Sequence, residues 1–131
     1  MPEKPRVLVD TSVWIDFLKG KDEAVRGLGS LMKNGRIVIS GQVLQEVLQG
    51  SRNQMAFRKL ADDMELWELE PEQPEDFVEA ARIFARLRWK GVTIPPSDCL
   101  IAAVAIRNNC PLYARDADFE AIPGLRLFAG D

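Results

Sequence analysis

Short apolar runs alternate along this chain with longer segments whose apolar residues recur at helical spacing, and this alternation constrains the fold most. Apolar runs of this length are typical of strands that are buried on both faces. Strands that alternate with helices predict an α/β protein, in which helices cover both faces of a parallel sheet and the connections are right-handed. The predicted strands are residues 6–9, 37–39, 66–69, 112–114 and 125–128.

The segments between these strands predict helices. Asp22, Ser40 and Ser97 stand at expected helix starts, and the side chain of each can accept hydrogen bonds from the free amides there. The segment after Pro95-Pro96 is apolar on all sides, which predicts a buried helix. The apolar stripes expected to face inward are Val13, Trp14, Phe17 and Leu18; Val25, Leu28 and Leu31 (or Met32); Val43, Leu44, Val47 and Leu48; Phe57, Leu60, Ala61 and Met64; and Phe77, Ala80, Ala81, Phe84 and Leu87.

The chain has no histidine and only two cysteines, which excludes several kinds of catalytic centre. Without histidine there is no Ser-His-Asp or Cys-His nucleophile and no histidine-bound zinc. Cys99 and Cys110 are too few for a structural zinc cluster, and we expect both to be reduced and mostly buried. Catalysis by this chain must therefore depend on carboxylates, hydroxyls, amines or a metal ion.

The length of 131 residues and the ordinary composition predict a single domain over residues 1–131. No apolar run reaches the roughly 20 residues that cross a bilayer, and the first residues lack a signal-peptide core, so we expect a cytoplasmic protein with no membrane partner. The net charge of −3, taken alone, argues against nucleic-acid binding. Acids that hold a divalent cation would weaken that argument, because the ion offsets their charge.

Acidic residues fall at or near the ends of predicted strands and the starts of predicted helices. Each one by itself could be an ordinary turn, cap or surface residue. A doubly wound sheet, however, brings its strand ends to one edge, and ligands bind at that edge in such folds. The acids are Asp10 after the first strand, Glu46 in the helix after the second, Asp98 in the first turn of the apolar helix, and Asp116, with Asp118 close by, after the strand at 112–114.

Together these acids predict a divalent metal site. Several carboxylates that share one cleft cannot all ionise without a compensating cation. Ligand sets made only of oxygen suit hard ions, so we expect Mg²⁺ or Mn²⁺, as one ion or two. Such ions stabilise the attacking and leaving oxygens of a phosphodiester and make a bound water more acidic, and this chemistry needs no histidine.

Three motifs carry a resemblance to a known family. Residues 9–16 read Val-Asp-Thr-Ser-Val-Trp-Ile-Asp, residues 97–103 read Ser-Asp-Cys-Leu-Ile-Ala-Ala, and residues 115–119 read Arg-Asp-Ala-Asp-Phe. In this order, with Glu46 between the first two, they closely resemble the PIN domain in its VapC branch, the toxin half of VapBC toxin–antitoxin pairs. The resemblance covers about residues 6–128. It implies a three-layer α/β/α fold with a central, mostly parallel sheet, and a ribonuclease that depends on Mg²⁺ or Mn²⁺.

The resemblance also implies roles for particular residues. Thr11 or Ser12 would supply a hydroxyl that orients the neighbouring acid or a metal-bound water. Many relatives have Thr, Asn or His near the position of Ala114, and this departure leaves Asp118 as an alternative to Asp116 for the ligand role. The acids that would bind metal and act in catalysis are Asp10, Glu46, Asp98 and Asp116.

Partners follow from the resemblance as well. It implies an RNA substrate, a homodimer and a cognate VapB-type antitoxin, which would insert a segment into the cleft and form a complex that binds its own operator DNA. Basic residues have two interpretations: a solvated surface, or contacts with RNA phosphates beside the acids. Arg115 could instead neutralise the acids in the free protein. The candidate RNA-binding residues are Arg82, Arg86, Arg88 and Arg115.

Three alternatives differ from this interpretation. One is a PIN nuclease outside toxin–antitoxin pairs, acting on other RNA or on flap-like DNA. Another is a phospho-receiver domain, which also has an acidic Mg²⁺ pocket; it needs paired acids after the first strand and a lysine after the last, whereas Asp10 stands alone and no lysine follows residues 112–114. The third is a PIN scaffold without activity, and the presence of all four acids argues against it.

Overall fold

A sheet of four parallel strands forms the centre of the computed structural model, which describes residues 4–129. Val7 lies opposite Ile37, and Leu8 lies opposite Leu112, in register. The second and third strands are added one after the other on one side of the first strand, and the fourth strand is added on its other side. The winding therefore reverses between the first and fourth strands. The strands, in the spatial order β3-β2-β1-β4, are β1 (Arg6–Val9), β2 (Arg36–Ser40), β3 (Glu68–Glu70) and β4 (Leu112–Tyr113).

Helices connect the strands and complete a three-layer α/β/α arrangement, as predicted. A parallel sheet needs this cover, because each crossover connection places a helix against one of its faces. The helices are α1 (Thr11–Leu18), α2 (Asp22–Asn34), α3 (Gly41–Gln49), α4 (Gln54–Met64), α5 (Pro74–Trp89) and α6 (Pro96–Arg107), and a 3-10 helix follows at Ala117–Ala121.

The core is built around the central strand and one helix. Val7, Leu8 and Val9 of β1 are completely inaccessible to solvent, as expected for a strand with helices on both sides. Every residue from Ile101 to Ala105 in α6 is also buried, which confirms the predicted buried helix. Burying one large apolar side chain stabilises a fold by about 1.5–3 kcal/mol, so these two elements contribute much of the stability.

Two of the three predicted helix caps are wrong. Ser40 accepts a hydrogen bond from the amide of Val43 (3.3 Å), as predicted. Asp22 and Ser97 already belong to their helices, because α2 begins at Asp22 and α6 at Pro96. Proline is well suited to a first helical turn, since its fixed φ is helical and it lacks an amide that would need a partner.

Four of the predicted apolar stripes differ from the structure. In two of them a single residue expected to face inward is exposed, namely Leu18 in α1 and Phe57 in α4.

The stripes of α2 and α5 differ as well. Val25 in α2 is exposed, and the smaller Ala24 is buried instead. In α5, Phe77 is exposed while Ile83 is buried, so the buried face is rotated relative to the prediction. That face includes Asp76, which a search for apolar spacing alone passes over.

The remaining differences lie in the short strands. The strand predicted at 66–69 forms at Glu68–Glu70, and the strand predicted at 112–114 ends at Tyr113. The predicted last strand is reduced to a single parallel bridge between Leu112 and Leu127. Cys99 and Cys110 are free and buried, as predicted. Among residues 4–129, no helix combines the length and apolar character needed to cross a membrane.

Candidate active site

The candidate site lies at the carboxyl edge of the sheet, where the winding reverses between β1 and β4. The amide of Asp10 donates a hydrogen bond to the carbonyl of Tyr113 (2.8 Å), which ties the end of β1 to the end of β4. Asp10 directly follows β1, and Asp116 lies three residues beyond β4. The fold therefore brings these two acids to the edge at which doubly wound sheets bind ligands.

Asp10 is the most buried of the predicted site acids, with 5% of its surface exposed. It caps α1: the amide and the hydroxyl of Ser12 both donate to its Oδ2 atom, at 3.2 and 2.6 Å. Burial raises the pKa of Asp10, and the hydrogen bonds from Ser12 oppose that rise. Ser12 thus orients Asp10, one of the roles expected for a hydroxyl in this motif.

Glu46 is held by two side chains, one from α1 and one from its own helix α3. The Thr11 hydroxyl donates to its Oε1 atom (2.5 Å), and the Gln42 amide Nε2 donates to its Oε2 atom (3.0 Å). Gln42 stands one helical turn before Glu46 on α3, so the second contact follows from helix geometry. Thr11 therefore orients Glu46, whereas the resemblance implied that Thr11 or Ser12 would orient Asp10 or a metal-bound water.

The pKa of Asp98 is raised by all of the other predicted acids. It lies half-buried in the first turn of α6, where the helix amides favour a negative charge. Burial is nevertheless the largest effect and, together with repulsion from nearby carboxylates, raises the pKa of Asp98 to about 7. The carboxylates that repel it are, in decreasing order, those of Asp10, Asp116, Glu46 and Asp118. The carboxylates of all the other predicted acids thus contribute to the electrostatic environment of Asp98.

Asp116 and Asp118 form the exposed rim of this region. Asp116 caps the 3-10 helix, and its Oδ1 atom accepts a hydrogen bond from the amide of Asp118 (2.9 Å). Both side chains are accessible to solvent. The same turn therefore presents two exposed carboxylates, and both are close enough to Asp98 to raise its pKa.

The acids have no cationic partner in the described part of the chain. None of the ion pairs between residues 4 and 129 includes any of the five acids at the site. Arg115, the nearest arginine in sequence, pairs with Asp16 instead. An oxygen-only donor set with uncompensated negative charge fits a hard divalent ion such as Mg²⁺ or Mn²⁺.

The site is open rather than a closed metal cage. Over residues 4–129, no three acidic or cysteine side chains converge closely enough to hold an ion by themselves. Mg²⁺ does not require such a cage, because one or two carboxylates and several waters normally complete its octahedron. An ion held here would therefore take one or two of these carboxylates as ligands and complete its coordination with water.

Three of the predicted RNA-binding arginines lie on α5 and make contacts typical of a solvated helix face. Arg82 pairs with Glu79 one turn away, and the guanidinium of Arg88 lies 5.7 Å from the centre of the Phe84 ring. Arg86 is exposed between them. These contacts favour the surface interpretation for this group.

Two acids near the site have contacts that the sequence did not indicate. Asp16, on α1, is 6% exposed and binds both Arg115 and Lys21, at 3.4 Å for the latter. Glu72 accepts hydrogen bonds from the first two amides of α3, those of Gly41 (3.1 Å) and Gln42 (2.7 Å). Asp16 stands in the first recognised motif, and that position was the only signal that could have indicated it.

Both the sequence and the fold of this chain are similar to those of known proteins. A sequence model of the PIN domain matches residues 7–125. The chain belongs to the PIN-domain family. Since this match spans most of the chain, the PIN interpretation of the motifs is confirmed, and the phospho-receiver alternative is wrong.

Individual relatives place this PIN domain in the VapC branch. It is similar to ribonuclease VapC11 of Mycobacterium tuberculosis, with 33% identity over 121 residues, which are 88% of this chain and 90% of that protein. Ribonuclease VapC1 of Methanocaldococcus jannaschii is 29% identical over 129 residues, covering 96% and 89% of the two chains. The fold is similar to a chain in the crystal structure of VapBC2 from Rickettsia felis bound to a promoter DNA fragment, with a TM-score of 0.80, 27% identity and coverage of 94% and 97%.

Proposed function

We propose that this PIN domain is a VapC-type endoribonuclease, which hydrolyses RNA phosphodiester bonds and acts as the toxin of a toxin–antitoxin pair. The observation that carries the proposal is the group of acids at the switch point of the sheet, which pair with no cation of residues 4–129 and whose repulsion contributes to the raised pKa of Asp98. The VapC relatives are themselves described as ribonucleases, and this supports RNA as the substrate.

The proposed ligands of one or two Mg²⁺ or Mn²⁺ ions are Asp10, Glu46, Asp98 and Asp116, each bound directly or through a water, with Asp118 as an alternative to Asp116. When bound, such an ion stabilises negative charge on a phosphate and lowers the pKa of a coordinated water. The protein prepares the ligands in advance: Ser12 fixes one oxygen of Asp10, while Thr11 and Gln42 fix the two oxygens of Glu46. Ligands oriented by such neighbours need less reorganisation when they bind an ion.

Asp98 has a separate part in the proposed reaction. With a pKa of about 7, its carboxyl group is partly protonated at neutral pH in the metal-free protein. Asp98 would have to lose that proton to serve as a ligand, because a carboxylate must be ionised to bind a metal ion. One carboxylate of the site then accepts the proton of the attacking water, a role that histidine fills in other ribonucleases.

The partners in the proposal are a VapB-type antitoxin and a second copy of this chain, in the cytoplasm. The solved VapBC2 assembly from Rickettsia felis supports the antitoxin, since its description names the complex and its promoter DNA. Exposed apolar side chains on α5, namely Phe77, Val78 and Trp89, support a protein interface.

The experiment that tests the activity uses purified protein, free of antitoxin, and structured RNAs with Mg²⁺, Mn²⁺, Ca²⁺ or EDTA. We expect cleavage with Mg²⁺ or Mn²⁺, little turnover with Ca²⁺, whose coordination is looser, and none with EDTA. Attack by water leaves a 5′-phosphate and a 3′-hydroxyl, which phosphatase and ligase treatment identify. A 2′-deoxy substitution at the cut site should leave the chemistry intact.

Two results would contradict this proposal. A 2′,3′-cyclic phosphate product would mean that the RNA 2′-hydroxyl is the nucleophile, and full cleavage in EDTA would mean that no divalent ion takes part.

The toxin assignment is tested separately by coexpression with the product of a small open reading frame next to the gene. Cleavage that such a product does not inhibit would favour a PIN nuclease outside toxin–antitoxin pairs, acting on other RNA or on flap-like DNA.

A further inference from the structure

A buried carboxylate lies between two cations close to the acids of the site. The Asp16 side chain, on α1, is only 9% exposed; its Oδ2 atom accepts a hydrogen bond from Nη1 of Arg115, and its Oδ1 atom lies 3.4 Å from Nζ of Lys21. A buried carboxylate is costly unless it is paired, so both cations stabilise the charge of Asp16. The proposed function assigns no role to this group.

Arg115 connects Asp16 to the site. It directly precedes Asp116, and its amide donates to the Ser12 hydroxyl (3.5 Å), which in turn donates to Asp10 (2.6 Å). The backbone of Arg115 thus lies beside the site acids, while its guanidinium points to Asp16. The side chain of Arg115 is 55% exposed, so packing holds it only in part and the ion pair with Asp16 is its main polar anchor.

Arg115 does not pair with the site acids, although its backbone lies beside them. Arg115 has a long, flexible side chain with a permanent positive charge, and the acids next to its backbone would attract it strongly. Between residues 4 and 129 its only ion pair is with Asp16, in a cavity that Lys21 and Glu23 also line. A bidentate or close arginine–carboxylate contact is among the strongest polar contacts of proteins, so Asp16 can compete with the site acids for it.

We propose that Asp16 is a positioning residue, which holds the guanidinium of Arg115 away from the site acids so that a divalent cation can occupy them. This inference rests on the proposed function, because it assumes that the acids bind such an ion. Without Asp16, Arg115 turns toward the acids and competes with the ion for them.

The test is a mutant cycle read as Mn²⁺ affinity by calorimetry. Asp16→Asn keeps the size of the side chain and removes its charge, so we expect Mn²⁺ to bind about tenfold more weakly, the effect of one unit charge brought close to the site. Adding Arg115→Gln to this variant should restore the affinity of the wild type, because the competing charge is gone. Arg115→Gln alone should bind Mn²⁺ at least as tightly as the wild type.

Two controls separate this effect from general damage. Asp76→Asn removes a matched buried carboxylate, whose partner Arg107 lies on α6 about 13 Å along the helix axis from Asp98. We expect it to lower the melting temperature and to leave Mn²⁺ affinity unchanged. Asp16→Ser is the second variant at the test position, and the result is taken from whichever variant keeps the circular dichroism spectrum of the wild type.

Each outcome decides between the claims. Unchanged Mn²⁺ affinity in folded Asp16→Asn overturns the inference and leaves the proposed function standing. Weak binding that Arg115→Gln does not restore also overturns it, since Asp16 then acts only on the structure of the loop, and so does failure of both Asp16 variants to fold. If the wild type itself binds no Mn²⁺, the proposed function fails.

Discussion

Asp98 shows how a single residue reports on a whole site. Its position in the first turn of a helix would by itself lower the pKa of a carboxyl group. Burial and the other acids reverse that tendency and raise the pKa to about 7. The free energy of unfolding must then depend on pH, because the folded state keeps a proton that the unfolded chain loses near pH 4.

The first prediction concerns the stability of the metal-free protein. Between about pH 4 and pH 7 the folded state binds more protons at Asp98 than the unfolded state does, so the contribution of Asp98 to stability falls as pH rises. Asp98→Asn removes this titration, and its melting temperature in EDTA should exceed that of the wild type by more at about pH 8 than at about pH 5.

The control for that comparison is Asp62→Asn, which neutralises an exposed acid on α4. Its difference from the wild type should be small at both pH values. A large loss of melting temperature in Asp98→Asn at high pH would mean that Asp98 serves mainly as a helix-start residue.

The second prediction concerns Thr11, whose hydroxyl donates to Glu46. Thr11→Val keeps the shape of the side chain and removes the donor, so Glu46 keeps only the contact from Gln42. Loss of one orienting hydrogen bond typically lowers metal affinity or activity by about 10- to 100-fold, and we expect that range for RNA cleavage.

Thr93→Val is the matched control, because Thr93 is exposed in the loop before α6. It should leave cleavage unchanged. Equal cleavage rates for the wild type and Thr11→Val at limiting Mn²⁺ would mean that the Thr11 hydroxyl does not help Glu46 to bind the ion.

At the scale of elements, α3 shows how a distant side chain completes a helix start. Ser40 accepts a hydrogen bond from the amide of Val43. Glu72 accepts hydrogen bonds from the amides of Gln42 and Gly41, although it lies 30 and 31 residues away from them in sequence. The negative charge of Glu72 is also favoured by the positive end of the helix. The helix that carries Glu46 is therefore held at its start from two sides.

The third prediction follows from this capping. A Cβ atom at Gly41 would lie 2.5 Å from Oε1 of Glu72, so in Gly41→Ala the end of this flexible side chain must shift and its hydrogen bonds to the helix amides weaken. We expect a loss of about 0.5–1 kcal/mol in the free energy of unfolding, at the low end of the range for lost helix caps, measured by urea denaturation.

Gly50→Ala, at the other end of α3, is the control. Gly50 has an ordinary helical backbone, and a Cβ there would make a normal contact at 3.7 Å with the carbonyl of Val47. We expect this substitution to be neutral or to stabilise the protein by up to about 1 kcal/mol. Similar losses at both glycines would mean that Glu72 does not matter for α3.

Sequence periodicity located the elements better than it located their buried faces. In α5, Ala80 and Leu87 are buried as predicted, but Phe77 is exposed. The buried face includes Asp76, whose charge is matched by Arg107 of α6, 31 residues away. Apolar spacing cannot detect such a face, because the pairing that makes a buried acid tolerable is a tertiary contact.

At the scale of the whole molecule, ion binding and folding are linked. An ion that binds only the folded state stabilises it, by about 2.7 kcal/mol when its concentration is 100 times the dissociation constant. The fourth prediction is that Mn²⁺ raises the melting temperature of the wild type. The rise should be larger at about pH 8 than at about pH 6, since below the pKa of Asp98 the ion must also displace a proton.

Differential scanning calorimetry with and without EDTA measures this effect. In Asp98→Asn the increase should be smaller and should depend less on pH. If Mn²⁺ raises the melting temperature of the wild type by the same amount at both pH values, Asp98 takes no part in ion binding.

The order of residues was sufficient to predict the parallel sheet, the buried sixth helix and the family, because periodicity and motif spacing are local properties of the chain. It also indicated the four acids, since strand ends meet at one edge in any doubly wound sheet. The contacts that orient those acids could not be predicted in this way. Thr11 reaches Glu46 across 35 residues, and Arg115 reaches Asp16 across 99, so only the folded chain determines these partners. Whether a buried charge is neutralised, and by which residue, depends on distances in space that sequence separation does not contain.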